Sequence, residues 1–226
     1  MTDMAPWALT QAQLAVEVVA TIAFALSGII AGARRQLDAV GICVVAGLAA
    51  FGGGTVRDVL LDRRPLFWVE HAAWVWLLLG VCAVAMLVLR ARHLEPTERA
   101  MQWPDALGLG LFAASGTQIA LDAAMPAVVA VILGVVTAAF GGVLRDIACN
   151  RLPSAFSDHR PYALCAFAGG WVLVLAGAAG LPPWLALLVS AGSATALRVA
   201  TVLLDWRLPA WRAAAVAQGR DGGPAP

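Results

Sequence analysis

An all-α membrane protein of seven transmembrane helices is the fold class predicted here, built from two inverted copies of a three-helix unit plus a seventh helix. Three observations carry that reading. Of the 226 residues, 61% are hydrophobic and 13% charged, with a mean hydropathy of +0.82, whereas a soluble domain is about half apolar and a quarter charged. Apolar runs of roughly 20 residues, the length that crosses a bilayer, recur between short polar segments. A shift of 88 positions lays residues 17–71 on 105–159 without a gap and with 14 identities.

The polar punctuation predicts spans at 13–33, 39–62, 70–90, 105–122, 126–150, 160–179 and 183–204. Pro126, Pro161 and Pro182-Pro183 stand at or near span starts, where a missing N–H costs little. The first three spans form a unit over 13–90, the next three a second unit over 105–179, and the seventh helix occupies 183–206. The stretch 213–226 is small, polar and rich in Gly and Pro, the composition of a disordered tail.

Charge placement gives the orientation. All 15 basic residues apart from His are Arg. Setting aside Arg57, Arg145 and Arg198, which lie inside or beside spans, only Arg63 and Arg64 flank one side. Arg34, Arg35, Arg90, Arg92, Arg99, Arg151, Arg160, Arg207, Arg212 and Arg220 flank the other. The excess of arginine on cytoplasmic loops places the N-terminus outside and the C-terminus in the cytoplasm. The N-terminal segment has no basic stretch before the first span, so that span is not read as a cleaved signal. A net charge of +1 with no basic stripe argues against nucleic acid as a partner. Cys43, Cys82, Cys149 and Cys165 lie in apolar runs without metal-ligand spacing and read as small buried hydrophobes, so no metal site is expected.

The repeat is specific. Phe24-Ala25-x-Ser27-Gly28 matches Phe112-Ala113-x-Ser115-Gly116, and Gly53-Gly54-x-x-Arg57-Asp58 matches Gly141-Gly142-x-x-Arg145-Asp146. Arg63-x-Pro65 matches Arg151-x-Pro153, His71 matches His159, and Glu17 falls on Asp105, an acid kept in kind. A unit of three spans is odd-numbered, so its second copy enters the membrane from the opposite side.

Within the repeat, Gly52-Gly53-Gly54 and Gly141-Gly142 lie about two thirds of the way along the second and fifth spans. Each glycine weakens a helix by roughly 1 kcal/mol relative to Ala. An unwound turn in hydrocarbon survives only against protein or a water-filled cavity, so these glycines are expected to kink or open the spans and line a path near the midplane. The free carbonyls before such a break suit a dehydrated cation and the free N–H groups after it suit an anion. The bland reading is close helix packing, which is assigned to Gly28-x-x-x-Gly32. Arg57-Asp58 and Arg145-Asp146 lie within about a turn of the membrane interface at opposite faces, either as ion contacts or as ion pairs stapling neighbouring helices. Ser27, Ser115 and Thr117 are candidate pore polar residues, although a helical hydroxyl more often bonds the carbonyl one turn back. Arg198 is expected to snorkel towards Asp205. His71 and His159 are expected at the interface, with Trp68, Trp74, Trp76 and Trp184 in an aromatic belt.

The segments Phe51-Gly52-Gly53-Gly54-Thr55-Val56-Arg57-Asp58 and Phe140-Gly141-Gly142-Val143-Leu144-Arg145-Asp146, with Asn150-Arg151-x-Pro153 and Trp206-Arg207-Leu208-Pro209, resemble the bacterial branch of the trimeric intracellular cation (TRIC) channel family. The resemblance covers about 14–208. It implies a homotrimer in a membrane, most readily the bacterial inner membrane, surrounded by lipid. It also implies one pore per protomer between kinked second and fifth spans, bordered by Arg57, Asp58, Arg145 and Asp146, with no cofactor and with K⁺ (or Na⁺) as the permeant ion. The same domain family is also called a glycine transporter, which leaves open a carrier of a small zwitterion such as glycine. With no HExxH, GxSxG or carboxylate-rich metal motif, an enzyme is not expected.

Overall fold

The computed structural model describes residues 11–92 and 97–209; the expected tail at 213–226 lies outside them. The described residues are all helix and connection, in the order α1 (Gln11–Arg34), α2 (Ala39–Leu60), α3 (Phe67–Glu70), α4 (Ala73–Arg92), α5 (Glu98–Asp122), α6 (Ala127–Ala148), α7 (Ser154–Ser157), α8 (Tyr162–Ala178) and α9 (Pro183–Leu203). By length and composition α1, α2, α6 and α9 can each cross a membrane, while α4 and α8 carry shorter apolar stretches at 73–89 and 162–178.

The local signals are conventional. Asp38 caps α2 by accepting from Gly41 N–H at 2.7 Å, and Thr97 caps α5 by accepting from Ala100 N–H at 3.1 Å. Pro183 occupies the first turn of α9. Residues with left-handed backbone follow equivalent helices at the 88-residue offset: Gln36 and Ala124 after α1 and α5, Asp62 and Asn150 after α2 and α6. Below the predicted fourth span, α5 continues back through Pro104 to Glu98.

The core is made where equivalent helices meet. α1 packs on α5 and α2 on α6, with α8 and α9 against the α5 flank and α4 against α1. Phe24 and its repeat partner Phe112 stack on one another, centroids 5.5 Å apart. The backbone contacts are reciprocal too. A Cβ on Gly53 would lie 1.9 Å from the Thr137 carbonyl oxygen, and one on Gly141 would lie 2.2 Å from that of Ala49, the repeat counterpart of Thr137.

That geometry corrects one expectation. α2 is helical at every residue through Gly52, Gly53 and Gly54, and α6 through Gly141 and Gly142. No turn is unwound, so no free carbonyl or N–H pole opens at the glycines. Missing side chains at 53 and 141 serve close approach of two intact helices. Gly28 behaves as expected of a packing glycine, its added Cβ meeting Ala46 Cα at 2.6 Å.

Candidate functional site

Two charged clusters lie inside this helical bundle, one from each repeat and each completed by the other. In the first, Arg57 on α2 donates from Nη1 to Glu17 Oε1 of α1 at 2.9 Å and from Nε to Asp58 Oδ1 at 2.9 Å. Asp58 Oδ2 accepts the Phe67 backbone N–H at 3.1 Å, and Ser115 of α5 donates to Glu17 Oε1 at 3.1 Å. In the second, Arg145 on α6 donates from Nη1 to Asp105 Oδ1 of α5 at 2.6 Å and from Nε to Asp146 Oδ1 at 2.8 Å. Asp146 Oδ2 accepts the Ser154 N–H at 2.9 Å, and Ser27 of α1 accepts from Arg145 and lies 3.5 Å from Asp105.

The structure therefore brings together Arg57, Asp58 and Ser115 at one cluster and Arg145, Asp146 and Ser27 at the other. All are buried; Arg57 and Arg145 are each 1% exposed. The ion-pair staple is present at both. With two carboxylates to one guanidinium, each cluster is formally −1 when ionised, a field that favours a cation and disfavours an anion. Ser27 and Ser115 do not bond the carbonyl a turn back but reach across to the other repeat. Glu17 and Asp105, matched acids that were not among the candidate site residues, complete the two clusters. Their signal was the spacing, since acid and arginine stand 40 residues apart in both repeats.

Other candidates fall elsewhere. Thr117 bonds the Ala113 carbonyl at 2.7 Å and packs against Gly134 and Gly170, apart from both clusters. Gly54 and Gly142 face the clusters: a Cβ on Gly54 would strike the Phe67 ring at 2.7 Å, whereas one on Gly142 would find Tyr162 Oη at 3.5 Å and Arg145 Nη2 at 3.6 Å. Gly52 packs on Leu144 and Gly141. Arg198 does not reach Asp205, which is held by Arg160 and Arg207. It is instead buried, with its guanidinium 4.7 Å over the Tyr162 ring and 3.9 Å from Asp158. Trp74 is buried against Phe67 and not in a belt, while Trp76 and Trp184 are exposed.

A polar cavity of about 210 Å³ opens onto the second cluster, lined among others by Asp105, Arg145, Asp146, Ser154, Asp158 and Arg198. Beside it a second recess, of about 270 Å³, is lined by Arg34, Arg35, Asp146, Cys149 and Arg151. Glu98 ties this rim together through Arg34 at 3.2 Å and Arg151 at 3.3 Å.

A family model described as Glycine transporter matches residues 14–90 and 102–178, both copies of the repeat. The chain belongs to this family. Among relatives, a UPF0126 membrane protein of Vibrio cholerae is 31% identical over 86% of this chain and 80% of its own length. The inner membrane protein YadS of Escherichia coli is 31% identical over 69% of this chain and 74% of its own. The crystal structure of the TRIC trimeric intracellular cation channel orthologue from Rhodobacter sphaeroides superposes with a TM-score of 0.80 at 32% identity, covering 87% of this chain and all of that one (100%). A second TRIC cation channel structure, solved to explain conductance, gives 0.77 at 29% identity over 89% of this chain and 98% of the other. The family member described here is thus a membrane protein of the bacterial TRIC branch, with the fold of cation channels.

Proposed function

We propose that this protein is a monovalent-cation channel, passing K⁺ or Na⁺ through each protomer of a homotrimer in the bacterial inner membrane. The observation that carries the reading is the pair of net-acidic clusters buried where α1, α2, α5 and α6 meet. Buried charge is costly in a lipid-facing bundle and is retained where it serves a path. On this reading α1, α2, α4, α5, α6, α8 and α9 all cross the bilayer, the two halves are inverted, the N-terminus is outside and the C-terminus cytoplasmic. The reciprocal Ser27 and Ser115 contacts and the Phe24–Phe112 stack support a two-fold relation between halves.

The path runs from one cluster to the other beside the close α2–α6 crossing, with Gly142 leaving room next to Arg145 and the Phe67 ring standing over Gly54. No cofactor takes part, and the arginines, pinned by their carboxylates, do not repel a cation as free charges would. The likeness to TRIC cation channels supports this over a carrier and over an enzyme. Purified protein in K⁺-loaded liposomes tests it: a potential-driven, non-saturating K⁺ flux without amino acid supports the channel. Saturable glycine counterflow with no conductance would replace it with a carrier.

A further inference from the structure

The two clusters are alike in their bonds and unlike in what covers them. In the first repeat the residue whose N–H caps the aspartate is Phe67, the first residue of α3; in the second it is Ser154, the first residue of α7. The sequence offset of 88 pairs Phe67 with Ala155, but the bonds pair it with Ser154, because the loops slip by one residue. Arg63 and Arg151 still bond back to Asp58 and Asp146 at the old offset, while Leu66 and Pro153, one residue out, open the short helices.

That slip sets a phenyl ring against one cluster and a serine against the other. The Phe67 ring is 6% exposed, stands 5.8 Å from the Arg57 guanidinium carbon and fills the space over Gly54. Phe51 and Trp74 pack nearly perpendicular to it with centroids 5.7 and 5.6 Å away, and Trp68, bonded to Thr55 at 3.1 Å, stacks on Phe51. A guanidinium over the ring and two near-perpendicular rings beside it leave a passing ion little free surface there. At the other end Ser154 lines the open polar cavity that reaches Asp105, Arg145 and Asp146.

We infer that Phe67 is the barrier of the conduction path, standing at its Arg63–Arg64 end, and that the path is open to water at the Ser154 end. An apolar constriction excludes water and the ions that need it, so the ring must move for current to pass. This inference rests on the channel reading above and goes beyond it by assigning the rate to one side chain.

The experiment is K⁺ flux from proteoliposomes for wild type, Phe67→Ser and Ser154→Phe, each shown by thermal unfolding and gel filtration to be folded. Phe67→Ser raises flux on the order of tenfold, and Ser154→Phe lowers it to a similar degree by setting a ring at the open end. Should Phe67→Ser fail to fold, Phe67→Leu keeps apolar bulk in the core and gives an intermediate rise. A conducting wild type with flux unchanged in the folded Phe67 variant overturns the inference alone. Absence of K⁺ flux from wild type and every variant overturns the channel reading and the inference with it.

Discussion

Gly53 and Thr137 touch backbone to backbone, so closely that even a methyl group on Gly53 would sit 1.9 Å from the carbonyl oxygen. Helix α2 cannot give way there without moving α6. Gly53→Ala is therefore expected to destabilise the protein by about 1–3 kcal/mol or more, the cost of overpacking a core, and to lower its thermal unfolding temperature in detergent. Gly142→Ala, with 3.5 Å to its nearest neighbour, is expected to unfold like wild type. Equal unfolding temperatures for the two variants would contradict the crossing.

Arg57→Met leaves Glu17 and Asp58 buried without a counter-charge, and about 3–5 kcal/mol of stability is expected to go with it. Adding Glu17→Gln removes part of that unpaired charge. A double-mutant cycle for the two sites is expected to show coupling on the order of 0.5–3 kcal/mol, measured by denaturant unfolding. Strict additivity would mean that the 2.9 Å ion pair contributes nothing.

Ser115→Ala strips Glu17 of a donor supplied by the other repeat. Hydrogen bonds to charged groups contribute about 1.5–3 kcal/mol, so a loss of that order is expected. On the channel reading the variant is also expected to change K⁺ conductance measured in bilayers, because Glu17 belongs to one of the two clusters that reading places on the path. Unaltered conductance in a folded Ser115→Ala protein would make the bond structural only.

Glu98 lies before the predicted span, on the rim of the open cavity. Burial alone would raise its pKa, but the hydrogen bond from Arg34 and the charges of Arg151 and Arg34 outweigh that and hold it below the ordinary 4.5. A depressed carboxylate contributes stability that is fully present above 4.5 and lost as pH falls through the lower native value. Unfolding curves of wild type and Glu98→Gln are expected to differ at neutral pH and to converge in acid. A difference that persists below the native value would assign the effect to packing.

Much of the fold was legible because the repeat and the apolar runs report on the same thing. The start of α2 at Ala39 and of α9 at Pro183 coincide with the predicted spans, and each expected span has a helix. The meaning of Gly53 and Gly141 was not legible: paired glycines suit a broken helix and a backbone crossing equally well, and only the partner carbonyls decide. Glu17 and Asp105 were visible as matched acids, yet their pairing with arginines 40 residues away depends on how α1 meets α2 and α5 meets α6. The asymmetry between the clusters was hidden because matching Pro65 to Pro153 concealed the slip that sets Phe67 against Ser154.

The crossed serines have a consequence for ancestry. A polypeptide ending near residue 92 would hold Glu17, Arg57 and Asp58 but lack the hydroxyl that Ser115 supplies, and its own Ser27 would have no charge to serve. Two such short chains docked upside down on one another would satisfy both needs at once. Fusing them end to end would then free each copy to diverge, as the phenyl ring at one cluster and the serine at the other have done.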